Sequence, residues 1–293
     1  MKSIKRHERR RTAVQLLSAL LFNGYIPGFI NGKIYNGKGK LLCIPVLNCY
    51  SCPGALGSCP IGALQSSAAA HRFPFYVLGT LLLFGTVLGR LVCGFLCPFG
   101  LIQELLHRIP VKKLSVPKKA DMMLRFVKYA VLALFVFVLP VLAVNSSGLG
   151  DSWFCKYICP AGTLEAALPH VLFNEQLREL ADKLFTLKTL ILVLTAAGAV
   201  LIHRAFCRYL CPLGAFWSLF NRFALYRMSI DGEKCTSCGK CAGVCPMSVR
   251  VTENINSSEC IRCGRCKAAC PNDAISSGFE MPFSAGAASK KEH

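Results

Sequence analysis

Acidic residues are scarce. There are 15 Asp and Glu among 293 residues, against 34 Lys and Arg, and charged residues together reach only 17%. An ordinary soluble domain carries roughly 25%. Several signatures are missing altogether. No C-x-x-C-H is present, so there is no covalent haem. No G-x-G-x-x-G follows a strand, so no NAD site is read. No acid–base or nucleophile constellation stands out, and no catalytic residue is assigned. None of the six histidines falls in the middle of an apolar run. His107 and His203 read as interfacial residues rather than haem ligands.

Hydrophobicity and cysteine are abundant instead. Hydrophobic residues make up 53%, mean hydropathy is +0.45, and there are 18 cysteines. Four apolar segments, 13–30, 73–92, 126–144 and 184–202, approach the roughly 20 residues that cross a bilayer core. The expectation is a polytopic α-helical membrane protein with four transmembrane helices. Gln15, Asn23 and Pro27 weaken the first, and Lys188 lies one turn inside the fourth, where it can snorkel. Basic residues gather before the first segment, between the second and third, and after the fourth. The stretch 145–183 has three basic residues against five acids. By the positive-inside rule both termini face the cytoplasm of a prokaryotic inner membrane. The net charge of +19 is thus placed beside the spans and around the cysteines, and no nucleic-acid partner is implied. The basic start lacks a convincing small-x-small cleavage site and reads as an uncleaved anchor. Arg10-Arg11 lacks the rest of a twin-arginine signal.

Residues 229–280 are a different kind of sequence. C-x2-C-x2-C-x3-C-P occurs twice, at Cys235, Cys238, Cys241, Cys245 and at Cys260, Cys263, Cys266, Cys270. Tight turns place three thiolates on one face of a cubane, and the fourth comes from the other run. Cys235, Cys238, Cys241 and Cys270 are therefore expected to hold one [4Fe–4S] cluster. Cys260, Cys263, Cys266 and Cys245 are expected to hold a second. A pair of zinc sites is the alternative, but two complete octets with proline after each fourth cysteine are not a zinc pattern.

Four further blocks share C-P-x-G, at Cys59, Cys97, Cys159 and Cys211, and three have a cysteine four residues earlier: Cys93, Cys155 and Cys207. Arg90-Leu-Val-Cys-Gly-Phe-Leu-Cys97-Pro-Phe-Gly aligns with Arg204-Ala-Phe-Cys-Arg-Tyr-Leu-Cys211-Pro-Leu-Gly. The spans thus divide into two parallel repeats related by an axis along the membrane normal. Each repeat brings one C-x3-C pair to the inner face, so Cys93, Cys97, Cys207 and Cys211 are assigned an inner [4Fe–4S] cluster. Amphipathic stretches follow each C-P-x-G, and helix N-termini there favour an anion. Arg90, Arg204 and Arg208 stand near in sequence to offset its charge. On the outer face Cys155 and Cys159 meet Cys59 and one more cysteine of the first loop. Cys52, also followed by proline, is favoured over Cys49, and Cys43 is the further candidate. Disulfides are the alternative there. The total is four clusters, with two cysteines spare.

With these motifs the chain resembles the NapH-type membrane polyferredoxins over roughly residues 70–275. Those are quinol dehydrogenase components linked to periplasmic nitrate reduction, and the NosR-type flavoproteins share their membrane core. The resemblance implies an electron-transfer subunit of an oxidoreductase, working in anaerobic respiration rather than as a stand-alone enzyme. Its partners would be the quinone pool and redox proteins on the cytoplasmic and outer sides. The outer cysteine set departs from that family and leaves the substrate system open. The alternative readings are a redox-sensing regulator, a metalloprotein assembly factor, or a membrane anchor whose ferredoxin docks a reductase. The expected division is a basic cytoplasmic N-terminus (1–12), a membrane domain with the C-x3-C-P repeats (13–228), a two-cluster ferredoxin domain (229–280) and a tail (281–293).

Overall fold

A computed structural model describes residues 2–144, 150–173 and 183–280; the expected tail lies outside the described residues. Helices α1 (Lys2–Phe22), α2 (Ile26–Asn31), α3 (Pro60–Ala69), α4 (Phe75–Val87), α5 (Leu91–Phe95) and α6 (Pro98–His107) are followed by α7 (Lys118–Leu142), α8 (residues 160–173), α9 (Lys183–Leu201), α10 (Ala205–Tyr209) and α11 (Pro212–Phe220). The C-terminal part holds the antiparallel strands β1 (Tyr226–Ile230) and β2 (Ile275–Phe279), with Tyr226 opposite Phe279 and Ile230 opposite Ile275. Between them lie α12 (Lys240–Gly243) and α13 (Arg265–Ala269).

Four transmembrane helices were expected; among the described residues two helices are long and apolar enough to cross a membrane. These are α7, with 25 residues, and α9, with 19. The other two expected spans fail for local reasons. Segment 13–30 is broken after Phe22 at Asn23-Gly24, and Pro27 starts a separate short helix. Its polar residues are also the ones turned inward. Gln15 and Ser18 are buried, as is Arg11 just before the segment, while Leu16, Leu17, Leu20 and Leu21 are exposed. Segment 73–92 gives only the 13 residues of α4, between Pro74 and the left-handed Gly89. At 1.5 Å per residue that is about 20 Å, short of a bilayer core. α7 and α9 are buried over only 22% and 11% of their most apolar stretch.

One apolar core packs around the cysteines of residues 43–217. It includes Val46, Leu47, Ile61, Phe99, Phe154, Phe206 and Trp217. The buried stripe of α1 lies on the backbone of the Cys93–Cys97 loop. Arg11 and Gln15 donate to the Gly94 carbonyl, each at 3.2 Å, and Ser18 donates to the Leu96 carbonyl at 2.8 Å. A polar helix face thus satisfies carbonyls that would otherwise be buried without partners.

Candidate metal centres

In the C-terminal part, Cys235, Cys238, Cys241 and Cys270 line one cavity, and Cys245, Cys260, Cys263 and Cys266 line another. The fourth cysteine of each run stands with the first three of the other. The backbone repeats with the sequence. Ser237 and Arg262 have φ of 50° and 51°, Gly239 and Gly264 71° and 75°, and Ser248 and Asp273 52° and 48°. Left-handed residues at matching places curl the chain so that successive N–H groups face inward, the geometry of an anion nest. Val249 and Ala274 donate their N–H to the sulfurs of Cys245 and Cys270, at 3.4 and 3.3 Å.

The same logic explains C-P-x-G. α3, α6, α8 and α11 each begin at the proline after Cys59, Cys97, Cys159 or Cys211. Proline at the first helical position has a suitable φ and no N–H to leave unpaired. The cysteine becomes the cap, and its sulfur accepts from the glycine N–H: Gly162 to Cys159 and Gly214 to Cys211, both at 3.3 Å.

Cys93, Cys97, Cys207 and Cys211 line one cavity with Arg90, Leu213, Gly214 and the segment Pro45-Val46-Leu47. It lies beside the ferredoxin-like part and is here termed the proximal site. A distal cavity is lined by Cys49, Cys59, Cys155 and Cys159. Cys52, favoured from sequence, is not among its lining residues, nor is Cys43. The Cys52 sulfur instead faces Asn23 Oδ1 at 3.7 Å. Cys49 is placed by its N–H, which donates to Glu165 Oε2 at 2.7 Å. A Cβ added at Gly162 would lie 3.6 Å from the Cys49 sulfur and 3.8 Å from that of Cys159. Sequence gave no signal for Glu165, which sits 116 residues away from Cys49. Burial pushes the Cys49 and Cys155 thiols up to about 12 and raises those of Cys59 and Cys93. Loading these sites therefore displaces protons.

Buried charge surrounds the proximal site. Arg90 pairs with Glu259 at 3.0 Å, and Lys128 of α7 reaches the other oxygen of that carboxylate at 2.5 Å. Arg204 donates to Glu104 at 2.7 Å and to the Cys93 carbonyl, and Arg11 completes the group. Burial opposes ionisation of Glu104, but Arg204 and then Arg11 outweigh it and hold the carboxyl at about 2. Arg208 turns away to Asp121, at 2.7 Å. So Arg90 and Arg204 flank the site, whereas Arg208 braces α7. Glu259 stands out because it joins the ferredoxin-like part to both Arg90 and α7. Glu259→Ala leaves two buried cations without their partner, a change worth about 3–5 kcal/mol. A clearly lowered unfolding temperature, with early proteolytic release of the C-terminal part, is the expected result.

Neighbouring sites share walls. Leu47, 3% exposed, lines both the proximal and the distal cavity. The two sites expected on opposite faces are therefore adjacent. Between the proximal site and the second ferredoxin-like site, Gly94 lies against Ile261, and a Cβ there would be driven into the Ile261 carbonyl oxygen. Cys93 packs on the same small core as Ile261 and Cys263.

Four thiols at a void are a donor set for a polynuclear iron–sulfur group. Among the described residues no three Cys, His, Asp or Glu side chains close on a single-ion position. The backbone N–H groups aimed at sulfur fit an anionic group with thiolate ligands. Comparison with known proteins agrees. A "4Fe-4S binding domain" family matches residues 71–117, 130–168 and 185–229, and a "4Fe-4S dicluster domain" family matches 227–271. Two uncharacterized proteins of Methanocaldococcus jannaschii are each 30% identical. One aligns over 58% of this chain and 56% of its own length, the other over 65% and 72%. The ferredoxin-type protein NapH of Haemophilus influenzae is 25% identical over 81% of this chain and 73% of its own. The chain thus spans between about half and three quarters of the length of these relatives. No solved structure matches. The paired thiol sets, the two cluster-domain matches and these relatives together place the chain in the NapH-type polyferredoxin family of iron–sulfur electron-transfer proteins.

Proposed function

We propose that the protein is a four-centre electron conduit anchored in the prokaryotic cytoplasmic membrane by α7 and α9. The observation that carries this reading is the shared walls: Gly94 against Ile261, and Leu47 between the proximal and distal cavities. Cys235, Cys238, Cys241 and Cys270 would hold the first [4Fe–4S] cluster, Cys245, Cys260, Cys263 and Cys266 the second, Cys93, Cys97, Cys207 and Cys211 the third, and Cys49, Cys59, Cys155 and Cys159 the fourth. Bound clusters supply one-electron redox chemistry with potentials set by local charge and hydrogen bonds. The chain's own residues set the proximal site against its two neighbours through Leu47 and the Gly94–Ile261 contact, and neutralise charge through Arg90 and Arg204.

Cys238 is exposed, which makes the first site the docking edge for a soluble redox protein. The distal cavity, about 820 Å³ and lined also by Lys156, His170 and Lys188, gives the opposite end room for a second partner, a quinone or a redox protein. Iron counting on anaerobically purified protein tests the reading, with about sixteen irons expected at four per cubane. Cys93→Ser and Cys207→Ser should each abolish the same electron paramagnetic resonance signal and spare the two ferredoxin signals. If the two substitutions remove different signals, the shared proximal centre is wrong. If iron stays near eight per chain, only the ferredoxin centres exist.

A further inference from the structure

Two glutamines hold matching positions that no metal-binding motif requires. Gln65 of α3 and Gln103 of α6 are 0% and 1% exposed. Each lies six residues after the capping cysteine of its helix, in C-P-x-G-x-x-Q. Gln103 Nε2 stands 3.0 Å from the Cys207 sulfur, and its Oε1 accepts the Phe206 N–H at 3.1 Å. Gln65 repeats this at the distal site: Nε2 is 3.2 Å from the Cys155 sulfur, and Oε1 accepts the Phe154 N–H at 2.8 Å. Each Nε2 also donates to the carbonyl one turn back, Phe99 at 3.4 Å and Ile61 at 3.2 Å.

The orientation of both amides follows from chemistry. A backbone N–H can only donate, so the atom facing it must be the carbonyl oxygen, and the atom facing sulfur must be the NH2 group. Both amide hydrogens are then committed, one to a carbonyl and the other to sulfur, while the oxygen accepts one N–H. A buried hydrogen bond to a charged acceptor is stronger than a neutral one. Its strength grows with negative charge on the sulfur, so it favours the reduced form of a bound cluster. We propose that Gln103 and Gln65 are the positioning residues that raise the reduction potentials of the proximal and distal centres, each acting on one site only. The inference rests on the cluster reading above.

The test is a redox titration of anaerobically purified full-length protein, followed by electron paramagnetic resonance. Gln103→Leu removes the donor. Gln103→Glu, titrated at a pH that keeps the carboxyl ionised, keeps an oxygen for the Phe206 N–H and offers no hydrogen to sulfur, and so separates tuning from holding the loop. With iron content unchanged, both variants should lower the ratio of reduced to oxidised proximal centre by about tenfold at a fixed ambient potential, about 59 mV for a one-electron couple. That is the scale of one hydrogen bond to a charged group. Gln65→Leu should shift only the distal centre. A loaded proximal centre with an unmoved potential in Gln103→Glu overturns the proposal and leaves the cluster reading standing. Loss of that cluster in both Gln103 variants also overturns it, by giving the residue a purely structural role. Absence of the signal from the wild-type protein removes the cluster reading itself, and the proposal with it.

Discussion

Cys49→Ser is expected to remove about four irons, one cubane, from the anaerobically purified protein, while Cys52→Ser leaves the iron content unchanged. Both cysteines stand in the loop before α3, and Cys52 is followed by a proline, as are Cys59, Cys97, Cys159 and Cys211. The difference is one of placement. Cys49 lines the distal cavity with Cys59, Cys155 and Cys159, and its N–H is fixed by Glu165. Cys52 faces Asn23 instead. Glu165 is itself buried, and burial pushes its carboxyl up to about 7 against the opposing hydrogen bond from Cys49. Iron analysis on the two variants, with Cys59→Ser as the positive control, decides the matter. Equal iron loss from both, or loss from Cys52→Ser alone, would return the fourth ligand to Cys52.

Gly94→Val should uncouple the ferredoxin-like part from the proximal site without removing a ligand. No side chain fits between Gly94 and the Ile261 carbonyl, and the obstacle is backbone, which cannot rotate aside. Overpacking of this kind costs about 1–3 kcal/mol, occasionally more, and here it acts on the contact between two thiol-lined sites. The expected result is full iron content and normal ferredoxin signals, with slowed reduction of the proximal centre after rapid mixing with a reduced soluble donor. Unchanged kinetics in a loaded Gly94→Val protein would mean that electrons reach the proximal site by another approach.

The cysteine runs of the ferredoxin-like part were legible because their spacing is local and the backbone repeats with it, down to paired left-handed residues at Ser237 and Arg262. The count of spans was not. Hydropathy sums composition over a segment, and it weighs neither the break at Asn23-Gly24 nor the Pro74 and Gly89 that bound α4. α7 and α9 contain no such interruption short of the bilayer length, although Pro140 follows widened turns in α7. The fourth cysteine lining the distal cavity was illegible for another reason, since a carboxylate remote in sequence places Cys49. A stronger repeat than the second and fourth blocks was available: Phe154-Cys-Lys-Tyr-Ile-Cys159-Pro against Phe206-Cys-Arg-Tyr-Leu-Cys211-Pro. Its two phenylalanines carry the N–H groups that meet Gln65 and Gln103. Read together with C-P-x-G-x-x-Q, it relates the distal site to the proximal one.

The exposure of Cys238 sets where oxidative damage begins. It is the one exposed cysteine among the described residues, the others being buried or half-buried. An accessible cysteine is more readily oxidised than a buried one. The cysteines around Leu47 lie behind protein on every wall that the distal mouth does not open. On the reading proposed above, in which Cys238 holds the first cluster, a preparation handled in air is expected to lose that centre before the buried proximal one, as successive electron paramagnetic resonance spectra would show.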